Sequence, residues 1–111
     1  VNLRGLRNMQ TGILTISTQI PQELTLMQNF PNPFNPVTRI RFAVPVKLSG
    51  VNVSLSVYDL TGKKIANLIN TNMNAGYYET EFNGSNLASG VYIYRIQAGT
   101  FTEQKKFTLI K

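Results

Sequence analysis

The feature that most constrains this 111-residue chain is a two-residue alternation of apolar and polar side chains. In Val51–Tyr58, Val51, Val53, Leu55 and Val57 alternate with Asn52, Ser54, Ser56 and Tyr58. Successive side chains of a strand point to opposite faces, so this period predicts a strand with one buried and one wet face. Thr38–Val44 repeats the pattern, with Ile40, Phe42 and Val44 set against Arg39 and Arg41. Tyr77–Phe82 sets Tyr78, Thr80 and Phe82 against Tyr77, Glu79 and Glu81.

The segments between these strands read as turns. Asp59-Leu60-Thr61-Gly62 predicts a hairpin turn in which Gly62 supplies the positive φ and Asp59 receives backbone N–H groups. The return strand Lys63–Ile69 breaks alternation at Ile65, Leu68 and Ile69, which predicts a bulge. Asn70–Gly76 reads as an Asn-rich loop, Asn83–Gly90 as a turn cluster, Val91–Ala98 as a strand, Gly99 as a tight turn and Thr100–Ile110 as the last strand. Leu87-Ala88-Ser89-Gly90-Val91-Tyr92 has the shape of a tyrosine corner, in which the Tyr92 hydroxyl bonds backbone a few residues upstream. That assignment turns Tyr92, Tyr94 and Ile96 inward and Val91, Ile93 and Arg95 outward. The opposite facing stays open, because both faces of this strand are largely apolar. No helical period interrupts the strands. The chain is expected to be all-β, an Ig-like antiparallel Greek-key β-sandwich of about six to seven strands.

All five prolines lie between Pro21 and Pro45, three of them in Phe30-Pro31-Asn32-Pro33-Phe34-Asn35-Pro36. Proline fixes its own φ and pushes the preceding residue away from helix, so Phe30, Asn32 and Asn35 should be extended. The segment is expected to be a stiff, polyproline-like or bulged lead-in that caps the sandwich edge, with Phe30 and Phe34 covering apolar surface. A ligand role for a PxxP reader through Pro33 and Pro36 is the weaker alternative. No charge occurs from Leu24 to Thr38, which marks a junction. Residues 1–25 are therefore read as a linker or the terminal strand of an upstream region, and residues 26–111 as the domain. Gly12–Gln19 could be one strand, closing an upstream domain or docking on this one or on a neighbour. The start at Val1 reads as a fragment or a processed product. No run approaches the ~20 apolar residues of a membrane-spanning helix.

The reactive inventory is thin. There is no His and no Cys, and the carboxylates are Glu23, Asp59, Glu79, Glu81 and Glu103. An imidazole base, a thiol nucleophile, a disulfide and a thiolate metal site are all excluded, so no enzyme, cofactor or metal is expected. Glu79 and Glu81 could be offered as a glycosidase pair or a calcium site, but a solvated strand face is the simpler expectation. Tyr58 and Tyr77 could stack on sugars, which keeps a carbohydrate-binding module as a minor alternative. The net charge of +6 is split among Arg39 and Arg41, the Lys63-Lys64 pair, the Lys105-Lys106 pair and Lys111. No aromatic–basic platform accompanies them, which argues against nucleic acid. Such lysines more often solvate strand edges, and they could meet an acidic receptor or lipopolysaccharide.

From Leu26 to Lys111 the chain resembles the type A C-terminal sorting domain of proteins exported by the type IX (Por) secretion system of Bacteroidota, a family related to the Ig-like domain of flagellar hook-capping proteins. The resemblance rests on Phe30–Pro36 followed by Thr38–Phe42 (TRIRF), and on Leu55–Gly62 (LSVYDLTG) with Tyr58, Asp59 and Gly62. It continues through Ala75-Gly76, the Leu87–Tyr92 strand start with Gly90, and the closing Lys105–Lys111 (KKFTLIK) with Lys106. Phe82-Asn83 stands where the family usually has Trp-Asp. The resemblance implies a folded signal read by the outer-membrane export machinery and cut upstream by a sortase-like peptidase. It also implies cargo delivered to the cell surface, often joined there to lipopolysaccharide. The main alternative is a retained structural module that self-assembles in a surface or extracellular structure.

Overall fold

Two four-stranded antiparallel sheets face each other in the computed structural model, which describes the backbone of residues 14–17 and all of residues 21–111. The strands are β1 (Leu14–Ser17), β2 (Thr25–Leu26), β3 (Val37–Val44), β4 (Val51–Tyr58), β5 (Lys64–Met73), β6 (Gly76–Asn83), β7 (Gly90–Ala98) and β8 (Phe101–Leu109). One sheet has the order β1-β6-β3-β2 and the other β5-β4-β7-β8. The central pairs β3–β6 and β4–β7 each join strands three apart in the chain, so the path crosses between sheets instead of running along one. That interlock is the Greek-key sandwich the strand pattern predicts. The expected strands from Thr38 onward are all present. Only a central part of Gly12–Gln19 is described, as β1 on the free side of β6; its other residues and its side-chain facing lie outside the described residues.

Alternation decides which residues are buried. Ile40, Phe42 and Val44 of β3, Val53, Leu55 and Val57 of β4, and Tyr94, Ile96 and Ala98 of β7 all have essentially no exposed surface. Tyr92, Tyr94 and Ile96 thus face inward, and Val91 is exposed on the opposite side. The β4–β5 register slips at Leu55/Ser56 and again at Val57/Tyr58, placing the bulges predicted from the broken alternation. One boundary differs from expectation. Asn70–Met73 continues β5 and does not belong to a loop, because Val51, Asn52 and Val53 pair with Met73, Asn72 and Thr71. Asn70 and Asn72 lie exposed on the wet face, where the backbone ladder overrides the turn preference of asparagine.

One end of the core is aromatic and centred on Phe107 of β8. Its ring stacks on Phe82 at 5.5 Å and on Tyr94 at 5.1 Å, and meets Phe34 at 4.8 Å and Tyr92 at 6.3 Å edge-on. Offset-stacked and edge-to-face pairs at such distances add to the area these rings bury. Gly84 passes so close that a Cβ there would lie 3.1 Å from Leu109 Cδ2, so a larger residue in the loop after β6 would have to displace the Leu109 side chain by a few tenths of an ångström. Phe107→Ala is expected to cost roughly 3–5 kcal/mol in chemical denaturation. Phe30→Ala, at a ring left 79 % exposed, should stay within about 0.5 kcal/mol of the parent.

Candidate functional site

The proline-rich lead-in is a strap that joins both sheets. On one side Leu26 pairs with Phe42 of β3, and Phe30 exchanges both backbone hydrogen bonds with Arg39 at 3.0 Å. On the other side the N–H of Phe34 donates to the Thr108 carbonyl at 3.0 Å, and Ile110 N–H donates to the Phe34 carbonyl at 2.9 Å. Asn32 Oδ1 accepts from Thr108 N–H at 3.0 Å, and Gln28 Nε2 donates to the Lys106 carbonyl at 2.9 Å. Glu103 Oε1 accepts from Leu26 N–H at 2.9 Å. The strap bends at 31–33 and 35–36, so it is the bulged form of lead-in and not a polyproline helix. Phe34 is buried between the sheets as expected. Phe30 is not: the bend at Pro31 turns its ring outward, where it rims a groove of about 320 Å³ with Met27, Gln28, Arg39, Arg41 and Glu79.

Inside the strap, Asn29 is a buried polar hub. Its amide donates to the Pro31 carbonyl at 3.1 Å and to Thr38 Oγ1 at 3.0 Å, while Thr38 Oγ1 donates to the same carbonyl at 2.8 Å. Tyr94 holds this hub to the core. Its hydroxyl donates to the Met27 carbonyl at 2.7 Å and accepts from Asn29 N–H at 2.9 Å. Burial pushes the ionisation of this phenol up to about 12, against a smaller downward pull from the Asn29 N–H.

Two tyrosine corners fasten the loops between the sheets. The Tyr92 hydroxyl donates to the Ala88 carbonyl at 2.5 Å, as the Leu87–Tyr92 pattern predicts. The Tyr78 hydroxyl donates to the Asn74 carbonyl at 2.8 Å in the same four-residue span, and burial raises its ionisation as well. Asn74-Ala75-Gly76-Tyr77-Tyr78 repeats the Gly-x-Tyr spacing of Gly90-Val91-Tyr92. That shared spacing was the available signal for the second corner.

The charged candidates are distributed, not convergent. Asp59 caps its turn as expected: Oδ1 accepts from the Thr61 hydroxyl, from Thr61 N–H at 2.9 Å and from Lys63 N–H at 3.0 Å. The Thr61 hydroxyl, then the Lys63 N–H, hold its carboxyl below the usual value. Gly62 follows at φ 91°. Lys105 and Lys106 alternate on β8 and so point to opposite faces. Lys111 reaches back to the loop before β7, donating to the Ser85 carbonyl and to Ser89 Oγ. Tyr58 is half-buried with the Arg95 guanidinium 4.7 Å from its ring centroid, so one face is covered for sugar stacking.

Glu79 departs from the expected solvated strand. Its side chain is 8 % exposed, and its two oxygens meet Arg41 Nε at 2.8 Å and Arg39 Nη1 at 3.2 Å. The reason is topological. β6 is an interior strand with β1 on one side and β3 on the other, so two guanidiniums close over the carboxylate. Both oxygens are held in ion pairs with arginines of the adjacent strand, which makes this buried charge a structural one. Glu81 is exposed beside it.

The Tyr94 geometry makes a pH prediction. The folded state keeps the phenol proton above pH ~10, where the unfolded chain loses it, so stability is complete below about 10 and declines between about 10 and 12. Tyr94→Phe should cost roughly 1–3 kcal/mol at neutral pH, because Asn29 N–H loses its acceptor. Urea unfolding across that window should show a shallower alkaline decline in the variant than in the parent.

None of the curated proteins compared with the chain matches it. The family model for the secretion system C-terminal sorting domain matches residues 28–111, from Gln28 in the strap to Lys111, two residues beyond β8. That match spans about three quarters of the chain and includes the strap, both tyrosine corners and the aromatic cluster. The chain therefore belongs to the C-terminal sorting domains, which direct their cargo through the type IX secretion system to the cell surface or the extracellular space.

Proposed function

We propose that the export machinery of the outer membrane reads this domain as a folded unit, through the surface where the strap and β8 meet. The observation that carries this reading is the stitching of Asn32 and Phe34 onto Thr108 and Ile110. Through it, the two ends of the family region form one continuous surface only when the sandwich is folded. Phe30 and Lys106 stand exposed along it, giving a partner an aromatic side chain and a cation on a rigid frame. The domain boundary falls near residue 26 in this proposal, a position supported by the family match from residue 28. A sortase-like peptidase then cuts upstream of that boundary, and lipopolysaccharide is the candidate acceptor for the released cargo. The domain is the substrate in these steps and performs no chemistry of its own.

A second reading, retention of the domain in the mature protein, is favoured by one observation. Leu14 and Thr15 pair with Glu79 and Tyr78, so residues upstream of the family match continue the sheet. Cleavage within such a segment would require it to leave β6.

A periplasmic reporter fused to residues 24–111 should reach the cell surface of a host with a working type IX system, and stay in the periplasm of a host lacking it. A stable fusion retained in the periplasm of the competent host would refute the sorting surface. Mass spectrometry of the exported protein then separates the two fates: loss of residues 26–111 supports cleavage, and their presence supports retention.

A further inference from the structure

The edge of β8 is closed along one half and open along the other. The strap bonds Thr108 through both backbone groups and Ile110 through its N–H, all on the side away from β7. Antiparallel ladders alternate the direction of backbone groups, so Thr102, Gln104 and Lys106 present theirs to that same side. Among the described residues, only the Lys106 carbonyl has a partner there, the Gln28 side chain. Residues 101–104 and Lys106 are exposed. An open edge of this kind is a template for another strand.

We propose that this edge is an interface between two copies of the chain, paired antiparallel about a two-fold axis at Gln104. The occupant follows from charge. With Gln104 opposite Gln104, Thr102 faces Lys106 and Glu103 faces Lys105, each contact occurring twice, as a self-complementary interface requires. No salt bridge among the described residues uses Glu103 or Lys105. Glu103 Oε1 accepts from Leu26 N–H at 2.9 Å, and its second oxygen carries no hydrogen bond among the described residues, so the carboxylate can still face a Lys105 ammonium. Backbone direction allows slips only in steps of two. One slip sets Glu103 against Glu103 and the other sets Lys105 against Lys105, both like-charge contacts that destabilise a cross-strand pair. The same charges that protect the edge from indiscriminate pairing therefore admit one register of one partner. Beyond Lys106 the strap already occupies the edge, so the paired segment ends there. The joined sheets would run through eight strands, β5-β4-β7-β8 continuing into the same four of the second copy. So short a contact lies below the ~1,200 Å² of a standard interface, and the association is correspondingly weak.

Sedimentation equilibrium of the whole chain at low salt, from ~10 μM to ~1 mM, should show a monomer–dimer equilibrium that weakens as salt screens the pairs. Glu103→Lys alone and Lys105→Glu alone should each weaken dimerisation about tenfold or more. An equimolar mixture of those two variants should regain it as a heterodimer, because every pair becomes unlike in charge again. Gln104→Pro removes an outward N–H and the exposed Arg95–Gln104 side-chain bond while leaving the β7 backbone ladder in place, and should abolish the dimer while far-UV circular dichroism still reports the sandwich. A chain monomeric to ~1 mM, a dimer indifferent to both charge reversals, or a mixture that fails to regain association would each overturn the proposal.

Discussion

The interaction on which the rest of this structure depends is the contact between Phe34 of the strap and Phe107 of the last strand. A sandwich needs its two sheets held face to face, and β3 and β8 are at opposite ends of the described domain sequence. Phe34 lies between them with its ring 4.8 Å from Phe107, while its backbone hydrogen-bonds β8 on both sides. Phe107 in turn carries Phe82, Tyr92 and Tyr94, so strands from both sheets converge on one ring. Nonpolar burial supplies the attraction there. The strap bonds set the register in which it acts.

Tyr94 ties this aromatic cluster to the polar part of the strap. Its ring belongs to the core, and its hydroxyl satisfies the Met27 carbonyl and the Asn29 N–H, which would otherwise be buried without partners. Asn29 and Thr38 then close around the Pro31 carbonyl. A proline-rich segment has few N–H groups to offer a ladder, and side-chain hydrogen bonds take that place here. The strap is consequently held at many points without being a strand, which fits the proposed reading of its surface by the export machinery.

The absence of histidine and cysteine fits this role. A domain recognised by its shape, as we propose for this one, depends on turns, a core and a fixed edge, and its charged groups serve those ends. Asp59 organises a turn, Glu79 pairs with two arginines of the adjacent strand, and Lys111 ties the end of β8 to the loop before β7. Each is used locally. None converges with another on a common cavity.

Most strands were legible from local pattern, because burial on one face imposes a period of two that needs no knowledge of the partner. The hairpin at Asp59–Gly62 and the corner at Tyr92 were legible for a similar reason, since their hydrogen bonds span four residues. Where asparagine clustered, as at Asn70–Asn72, local preference misled, and pairing with β4 decided the outcome. The outward turn of Phe30, the burial of Glu79 and the hold of Tyr94 on residues 27 and 29 depended on which elements became neighbours. The last of these joins groups more than sixty positions apart. The sequence by itself determined an antiparallel sandwich, most of its buried faces and its family, because each rests on short-range periodicity and on motif order. Only the tertiary structure decided that the lead-in is a strap across both sheets and that half of β8 keeps an open edge, because hydrogen bonds between distant segments have no local signature.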